Sequence, residues 1–305
     1  MIEAHNLTKR YGSTVAVDDL SFSLRPGTVT GFLGPNGAGK TTTMRLILGL
    51  DRPTRGNVTI GGRRYRDLEH PLHEVGALLD AKAMHGGRSA QAHLHCLAAA
   101  NGIPAGRVME VLRIVGMDNV ARRRTGGFSL GMGQRLGIAA ALLGDPGILI
   151  FDEPVNGLDP EGILWVRTMM RTLAAEGRTV LVSSHLMNEM AVTADRLLVI
   201  GRGRLISDSS VDEFVQKSAQ PSVRVRSPHA EDLARFLAET GASVRAVEPG
   251  VIEVTGVETA AVGELAAAHA LVLHELTPQR ASLEEAFMEL TRNSVEYSAR
   301  SEVSR

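Results

Sequence analysis

A glycine-rich loop near the amino terminus carries the first residues with a recognisable chemistry. Gly34, Gly39, Lys40 and Thr41 match the pattern G-x-x-x-x-G-K-[ST]. Glycines let the backbone fold closely around an anion, so that its N–H groups and the next helix N-terminus point at phosphate oxygens. We expect Lys40 to lie across the β and γ phosphates of a nucleotide and the Thr41 hydroxyl to bind Mg²⁺. The residues expected to surround the phosphates are Gly34, Pro35, Asn36, Gly37, Ala38, Gly39, Lys40, Thr41 and Thr42.

Two acidic residues follow an apolar segment in the middle of the chain. Residues 148–151 read Ile-Leu-Ile-Phe, and Asp152 and Glu153 come directly after them. Ligands of open α/β sheets bind at the carboxyl ends of the strands. Two acids after a strand are weak evidence alone, because such positions are often only solvated. Together with the phosphate loop they predict that Asp152 serves Mg²⁺ and that Glu153 polarises the attacking water as a general base.

The segments around these residues predict an α/β domain. Alternation over residues 1–30 indicates antiparallel strands. Residues 86–145 have a mainly helical pattern, which predicts a helical insertion. Two β-rich runs with a helical run between them have the order of parallel strands joined by a crossover. The predicted core elements are a strand at 29–33, helices at 42–48, 108–115 and 134–143, a strand at 148–151, a helix at 163–176 and a strand at 179–183.

A second domain is predicted after a polar linker. We place the boundary between residues 217 and 218, so that the first domain spans 1–217, a smaller α+β domain spans 218–292, and a frayed polar tail covers 293–305. The order β-α-β-β-α-β predicts a ferredoxin-like domain. A last helix is expected from Ser282, which forms a capping box with Glu285. The predicted elements are strands at 223–226, 243–247, 251–254 and 271–276 and helices at 230–240 and 259–268.

The composition excludes several classes of protein. The 305 residues include 44% hydrophobic and 22% charged residues, which is a globular balance and not that of a disordered chain. A formal net charge of −1 provides no overall positive field for nucleic acid. The single Cys96 excludes an internal disulfide and a cysteine-cluster metal site. We also expect no signal peptide and no membrane-spanning segment, since the apolar stretches are short.

The complete set of motifs resembles the ATP-binding cassette of ABC transporters over residues 2–217. Besides the phosphate loop and the acids, the resemblance rests on the segments 128–135, 156–160 and 184–185, which read FSLGMGQR, NGLDP and SH. It implies a P-loop NTPase core of the RecA-like type, with an antiparallel β subdomain and a helical subdomain. It also implies that two copies form a dimer with two ATP molecules at the shared interface.

The resemblance assigns roles to five further residues. Ser129 and Gly131 would close on the γ phosphate bound by the opposite copy, although this segment departs from the family consensus L-S-G-G-Q at three of five places. His185 matches the histidine that contacts the γ phosphate, and Asp159 matches the loop that couples the two sites. Tyr11 matches the aromatic residue that stacks on adenine. Alternatives remain open for each: a plain turn at Ser129, a structural histidine, a helix N-cap at Asp159 and a surface tyrosine at Tyr11.

The family's Q-loop glutamine is absent from this chain. Asp80, about forty residues after Lys40, falls at the position that the family pattern gives to this glutamine. We expect Asp80 to take the glutamine's contact with Mg²⁺ and water and to couple the site to membrane partners. The alternative is that the loop is shifted and that Asp80 is a surface acid.

These expectations together predict a Mg²⁺-dependent ATPase subunit on the cytoplasmic face of a membrane. Its partners would be separate integral-membrane permease subunits and a second copy of the cassette, with no nucleic acid. The carboxyl-terminal segment 282–290 resembles that of the multidrug and antibiotic-resistance type of exporter, which favours export. The alternatives are a soluble ABC-type ATPase that acts on ribosomes or DNA, and a nucleotide-gated module that does not hydrolyse ATP. The latter is disfavoured by the complete set of catalytic residues.

Overall fold

The computed structural model describes residues 1–218, 222–279 and 283–291. They form two compact units, one of residues 1–211 together with Thr291 and one of residues 212–290. The predicted boundary at 217/218 falls at the carboxyl end of a helix that begins at Val211, and residues 219–221 of the predicted linker lie outside the described residues. Ser282 and the predicted tail at 293–305 also lie outside them, so the capping box and the tail stay predictions.

The first unit contains two sheets and a helical region. Its elements are β1 (Ile2–Tyr11), β2 (Thr14–Leu24), β3 (Thr28–Leu33), α1 (Lys40–Ile47), β4 (Arg55–Ile60), α2 (Pro71–Glu74), β5 (Val75–Leu78), α3 (Ala90–Ala100), α4 (Gly106–Ile114), α5 (Leu130–Leu142), β6 (Ile148–Asp152), α6 (Pro160–Ala175), β7 (Thr179–Ser183), α7 (Met187–Thr193), β8 (Arg196–Gly201) and β9 (Arg204–Ser210). The predicted α/β fold with an antiparallel β layer and a helical insertion is confirmed.

The larger sheet brings the carboxyl ends of three strands to one edge. Its order is β5-β6-β7-β3-β8-β9, and all neighbouring pairs are parallel except β8 and β9. Ser183 of β7 is in register with Asp152 of β6 on one side and with Phe32 of β3 on the other. The phosphate loop that follows β3 and the acids that end β6 therefore meet at one edge of the sheet.

The apolar patterns of the strands explain this arrangement. Every residue of β7 and the first four residues of β6 are buried, as expected for parallel strands that are covered on both faces. The smaller sheet, of order β2-β1-β4, is antiparallel and packs its apolar side chains into the same hydrophobic core. Within the described residues, no helix is long and apolar enough to cross a bilayer.

The second unit is a four-stranded antiparallel sheet with helices. Its elements are α8 (Val211–Ser218), β10 (Ser222–Arg226), α9 (Ala230–Glu239), β11 (Ser243–Glu248), β12 (Val251–Thr255), α10 (Thr259–Ala268), β13 (Glu275–Gln279) and α11 (Leu283–Thr291). From β10 to β13 the element order β-α-β-β-α-β agrees with the sequence prediction, and the sheet order is β11-β12-β10-β13. The assignment to ferredoxin-like folds stays a prediction.

One predicted strand of this unit is displaced. The strand expected at 271–276 occupies Glu275–Gln279 instead. The alternating Leu271 and Leu273 pack against the apolar core from the connection before the strand. The Leu271 N–H donates to the Ala266 carbonyl at 2.8 Å and Ala270 has φ of 54°, so these residues end α10. Their alternation therefore reflects burial of a helix end and not strand pairing.

Candidate nucleotide site

The phosphate loop connects the end of β3 to the start of α1, and two glycines determine its path. A Cβ on Gly34 would lie 2.5 Å from the Ile200 carbonyl oxygen. Gly39, the N-cap of α1, has φ of 103°, and a Cβ there would lie 2.3 Å from the Ala16 carbonyl oxygen. Both positions need glycine, because a side chain would strike the backbone of a neighbouring strand or its connection.

Lys40 folds back over this loop. Its Nζ donates hydrogen bonds to the Gly34 carbonyl at 2.5 Å and to the Pro35 carbonyl at 3.3 Å. Burial lowers the pKa of the Lys40 ammonium, while the nearby Glu153 and Asp152 carboxylates oppose that change. The loop therefore holds a largely buried ammonium group. A bound anion would stabilise the charged form of this group.

A cavity of about 340 Å³ lies beside Lys40. Most of its wall is made of predicted residues, whereas Gly34 and Pro35 contact the Lys40 amino group without lining it. Ala16 and Leu79 also line the cavity and were not predicted, because nothing in their local sequence marks a binding position. The lining residues are Ala16, Asn36, Gly37, Ala38, Gly39, Lys40, Thr41, Thr42, Leu79, Asp152 and Glu153.

The two predicted acids are held at this cavity in different ways. The Thr41 hydroxyl donates to Asp152 Oδ2 at 2.6 Å, and the Ser183 hydroxyl donates to Asp152 Oδ1. Glu153 Oε2 lies 2.8 Å from His185 Nδ1. The structure thus brings together three segments that are distant in sequence, which contribute Lys40 and Thr41, Asp152 and Glu153, and His185.

The backbone of Glu153 is unusual. Its φ is 50°, in the left-handed region, which costs a non-glycine residue roughly 1–2 kcal/mol. Its N–H donates to Ser183 Oγ at 3.0 Å, and its carbonyl accepts from Gln134 Nε2 at 3.1 Å. Neither Ser183 nor Gln134 was predicted. A serine at a strand end and a glutamine on a helix are too common to be singled out from the sequence.

The segment around Ser129 lies at the N-terminus of α5. The Ser129 hydroxyl caps this helix by accepting from the Met132 N–H at 3.3 Å. A Cβ on Gly131 would lie 2.8 Å from the Gly157 carbonyl oxygen, so glycine allows the segment before α6 to approach. Ser129 and Gly131 do not line the 340 Å³ cavity; Ser129 lines another of about 260 Å³ together with Lys82.

Tyr11, Asp80 and Asp159, like His185, also lie outside the wall of the 340 Å³ cavity. Asp159 caps α6 by accepting from the Gly162 N–H at 2.9 Å, which was its alternative interpretation. Asp80 is exposed, and its Oδ1 accepts from the Lys82 N–H at 2.8 Å, while its neighbour Leu79 lines the cavity. The hydroxyl of Tyr11 donates to Asp51 Oδ2 at 2.8 Å.

Comparisons with known proteins identify the families and relatives that this chain resembles. The family model described as "ABC transporter" matches residues 17–156, and one described as "Domain of unknown function (DUF8746)" matches residues 221–284. The chain is 35% identical to an uncharacterised ABC transporter ATP-binding protein, YhcH of Bacillus subtilis, over 97% of each chain. It is 39% identical to the bacitracin transport ATP-binding protein BcrA of Bacillus licheniformis over 72% of each chain.

Solved structures have the same fold as the first unit. One described as the ATP-binding subunit of an ABC transporter matches with a TM-score of 0.65 and 27% identity, over 71% of this chain and 92% of that chain. A dimeric bacterial ABC transporter cassette matches with a TM-score of 0.65 and 23% identity, over 69% of this chain and 99% of that chain. The first unit has the P-loop NTPase fold, and the chain belongs to the ATP-binding, ATP-hydrolysing subunits of ABC transporters.

Proposed function

We propose that the chain energises export through separate integral-membrane permease subunits, from the cytoplasmic face of the membrane. The observation that supports the ATP-driven part of this proposal is a cavity that joins the phosphate loop, Lys40 and the acids Asp152 and Glu153. Export is supported by relatives whose names describe bacitracin transport, lantibiotic transport and Nod factor export. The transported compound is a property of the membrane partner and is not assigned.

Mg²⁺ fits the residues at the cavity. Within the described ranges, no group of three or more His, Cys, Asp or Glu side chains could hold a metal by itself. Mg²⁺ commonly binds through one or two protein oxygens together with substrate phosphates and water, and the Thr41 hydroxyl and Asp152 carboxylate are oxygen ligands 2.6 Å apart. When bound, the ion neutralises charge on the β and γ phosphates.

Lys40, Glu153 and His185 have separate roles in the hydrolysis. The Lys40 ammonium binds the phosphates. It exchanges its hydrogen bonds to the Gly34 and Pro35 carbonyls for hydrogen bonds to phosphate oxygens, which are stronger because these acceptors are charged. Glu153 orients the attacking water and accepts its proton. His185 contacts Glu153 in this structure and donates to the γ phosphate once nucleotide is bound.

A second copy of the chain completes the site. Ser129 and Gly131 stand at a helix N-terminus, whose partial positive charge favours the γ phosphate held by the opposite copy. Asp159, which caps α6 through one carboxylate oxygen, has its other oxygen for contacts that couple the two sites. Solved relatives of the fold include a dimeric cassette bound to ADP and phosphate.

Asp80 is proposed as an additional contact to Mg²⁺ and its water. It directly follows Leu79, which lines the cavity, so a small movement of this connection brings the carboxylate toward the metal. Asp80→Ala should then raise the Mg²⁺ concentration needed for half-maximal hydrolysis by about threefold or more, while Asp118→Ala, an exposed acid, leaves it unchanged. An unchanged Mg²⁺ dependence of Asp80→Ala would remove the residue from the metal site.

The membrane role is tested by co-purification. Tagged Glu153→Gln protein, which should hold ATP without hydrolysing it, is purified with ATP from detergent-solubilised membranes of cells that express it. We expect a protein with several membrane spans to accompany it. Recovery of ribosomes, nucleic acid or only soluble proteins would contradict the proposal and favour the soluble ATPase alternative.

A further inference from the structure

The peptide of Glu153 is held by side chains from two separate elements. Its N–H donates to Ser183 Oγ on β7, and its carbonyl accepts from Gln134 Nε2 on α5. The residue has φ of 50°, a conformation that persists in a non-glycine residue only where surrounding contacts enforce it. These two hydrogen bonds are contacts of that kind.

Ser183 links both acids of the site. Its side chain is fully buried at the end of β7, in register with Asp152. The hydroxyl donates to Asp152 Oδ1 while its lone pair accepts the Glu153 N–H, so one oxygen fixes the orientation of Asp152 relative to Glu153. A hydroxyl is needed for this, because the same atom must donate and accept.

Gln134 links Glu153 to the helix that Ser129 caps. Its side chain is 5% exposed, and its Oε1 is buried with no hydrogen-bond partner among the described residues. An unpaired buried carbonyl is unfavourable, so packing alone would favour an apolar side chain here. The amide is explained by its one bond, from Nε2 to the Glu153 carbonyl at 3.1 Å.

We propose that Ser183 and Gln134 are positioning residues for Glu153, and that Gln134 transmits movement of α5 to the base of the same chain. This inference rests on the proposed role of Glu153. A general base must stay within hydrogen-bond reach of the proton that it takes, and small misplacements of catalytic groups are costly. When the N-terminus of α5 engages the opposite nucleotide, the Gln134 contact moves the Glu153 peptide with it.

The test uses two near-isosteric variants of the full chain, Ser183→Ala and Gln134→Met, each with a matched control. Ser209→Ala removes another buried hydroxyl of the same sheet, and Gln91→Met removes a helix amide that contacts His95. For each protein we would measure kcat and KM for Mg²⁺-ATP, the Kd for ATP and the Tm. Size-exclusion chromatography with ATP reports dimer formation.

We expect kcat to fall by about 10- to 100-fold in both variants, with KM, Kd and Tm shifts no larger than those of the controls. Gln134→Met should also accumulate an ATP-bound dimer, because closure then proceeds without delivering the base. Wild-type protein whose phosphate release does not depend on Lys40 would contradict the proposed function itself. If the wild type is active but the variants have the same kcat as the controls, the positioning inference is overturned while the proposed function stands. The same holds if the fall in kcat is accompanied by an equally large loss of ATP affinity and a lower Tm.

Discussion

His185 Nδ1 lies 2.8 Å from Glu153 Oε2, so the histidine at the end of β7 contacts the proposed base directly. The carboxylate of Glu153 is thus held by one side chain, while its backbone is bonded to Ser183 and Gln134. A γ phosphate that attracts His185 must compete with this contact. Nucleotide binding would thereby release the carboxylate toward water at the moment when the phosphate is in place.

Glycine at position 34 is required by the approach of β8. In Gly34→Ala the added Cβ would lie 2.5 Å from the Ile200 carbonyl oxygen, so the loop must move away from the strand. We expect a stability loss of about 1–3 kcal/mol and at least about a tenfold weaker ATP affinity. Gly147→Ala is the matched control, because a Cβ there has no neighbour within 4 Å. Equal ATP affinities of the two variants, measured by calorimetry, would refute the prediction.

ATP affinity should depend on pH through Lys40. Burial lowers the pKa of this ammonium, so its neutral form becomes populated at lower pH than that of an ordinary lysine. Bound phosphate favours the charged form and raises the pKa again, so affinity should fall as the pH rises toward the range in which an ordinary lysine loses its proton. Lys40→Arg, which stays charged over this range, should have a flatter profile. Parallel profiles for the two proteins would contradict the assignment.

The predicted contact of Tyr11 with adenine would use the ring face that Lys9 does not cover. Its ring is 47% exposed, Lys9 Nζ lies 4.7 Å from its centroid, and its hydroxyl donates to Asp51. Tyr11→Ala should weaken ATP binding by about 3- to 10-fold and leave the affinity for inorganic triphosphate unchanged. Tyr11→Phe, which loses the Asp51 hydrogen bond and keeps the ring, should bind ATP normally. If the phenylalanine variant is as weak as the alanine variant, stacking is not the role of Tyr11.

Local patterns were sufficient to predict the parts of the site that are contiguous in sequence. The phosphate loop and the strand that ends at Asp152 are each encoded in a few adjacent residues, because glycines and apolar runs determine local backbone geometry. The same holds for most helices, whose predicted bounds differ from the observed ones by a few residues at each end.

Contacts between distant segments could not be predicted in this way. Ala16, Leu79, Gln134 and Ser183 reach the site only because the sheet and α5 bring them there. Gln134 lies within the segment 128–135 and Ser183 directly precedes the segment 184–185, but those motifs assign no role to either residue. The displaced strand β13 has the same cause. Its preceding leucines alternate like a strand, although tertiary packing uses them to end α10 and fill the core.

The proposed function depends on hydrolysis of ATP at this cavity with Glu153 as the base. The most direct measurement compares phosphate release from Mg²⁺-ATP by the wild type, Glu153→Gln and Lys40→Ala, with ATP affinity measured in parallel. We predict that Glu153→Gln binds ATP within about threefold of the wild type yet hydrolyses it at least about 100-fold more slowly, whereas Lys40→Ala loses affinity. Hydrolysis by Glu153→Gln at the wild-type rate would show that Glu153 is not the base.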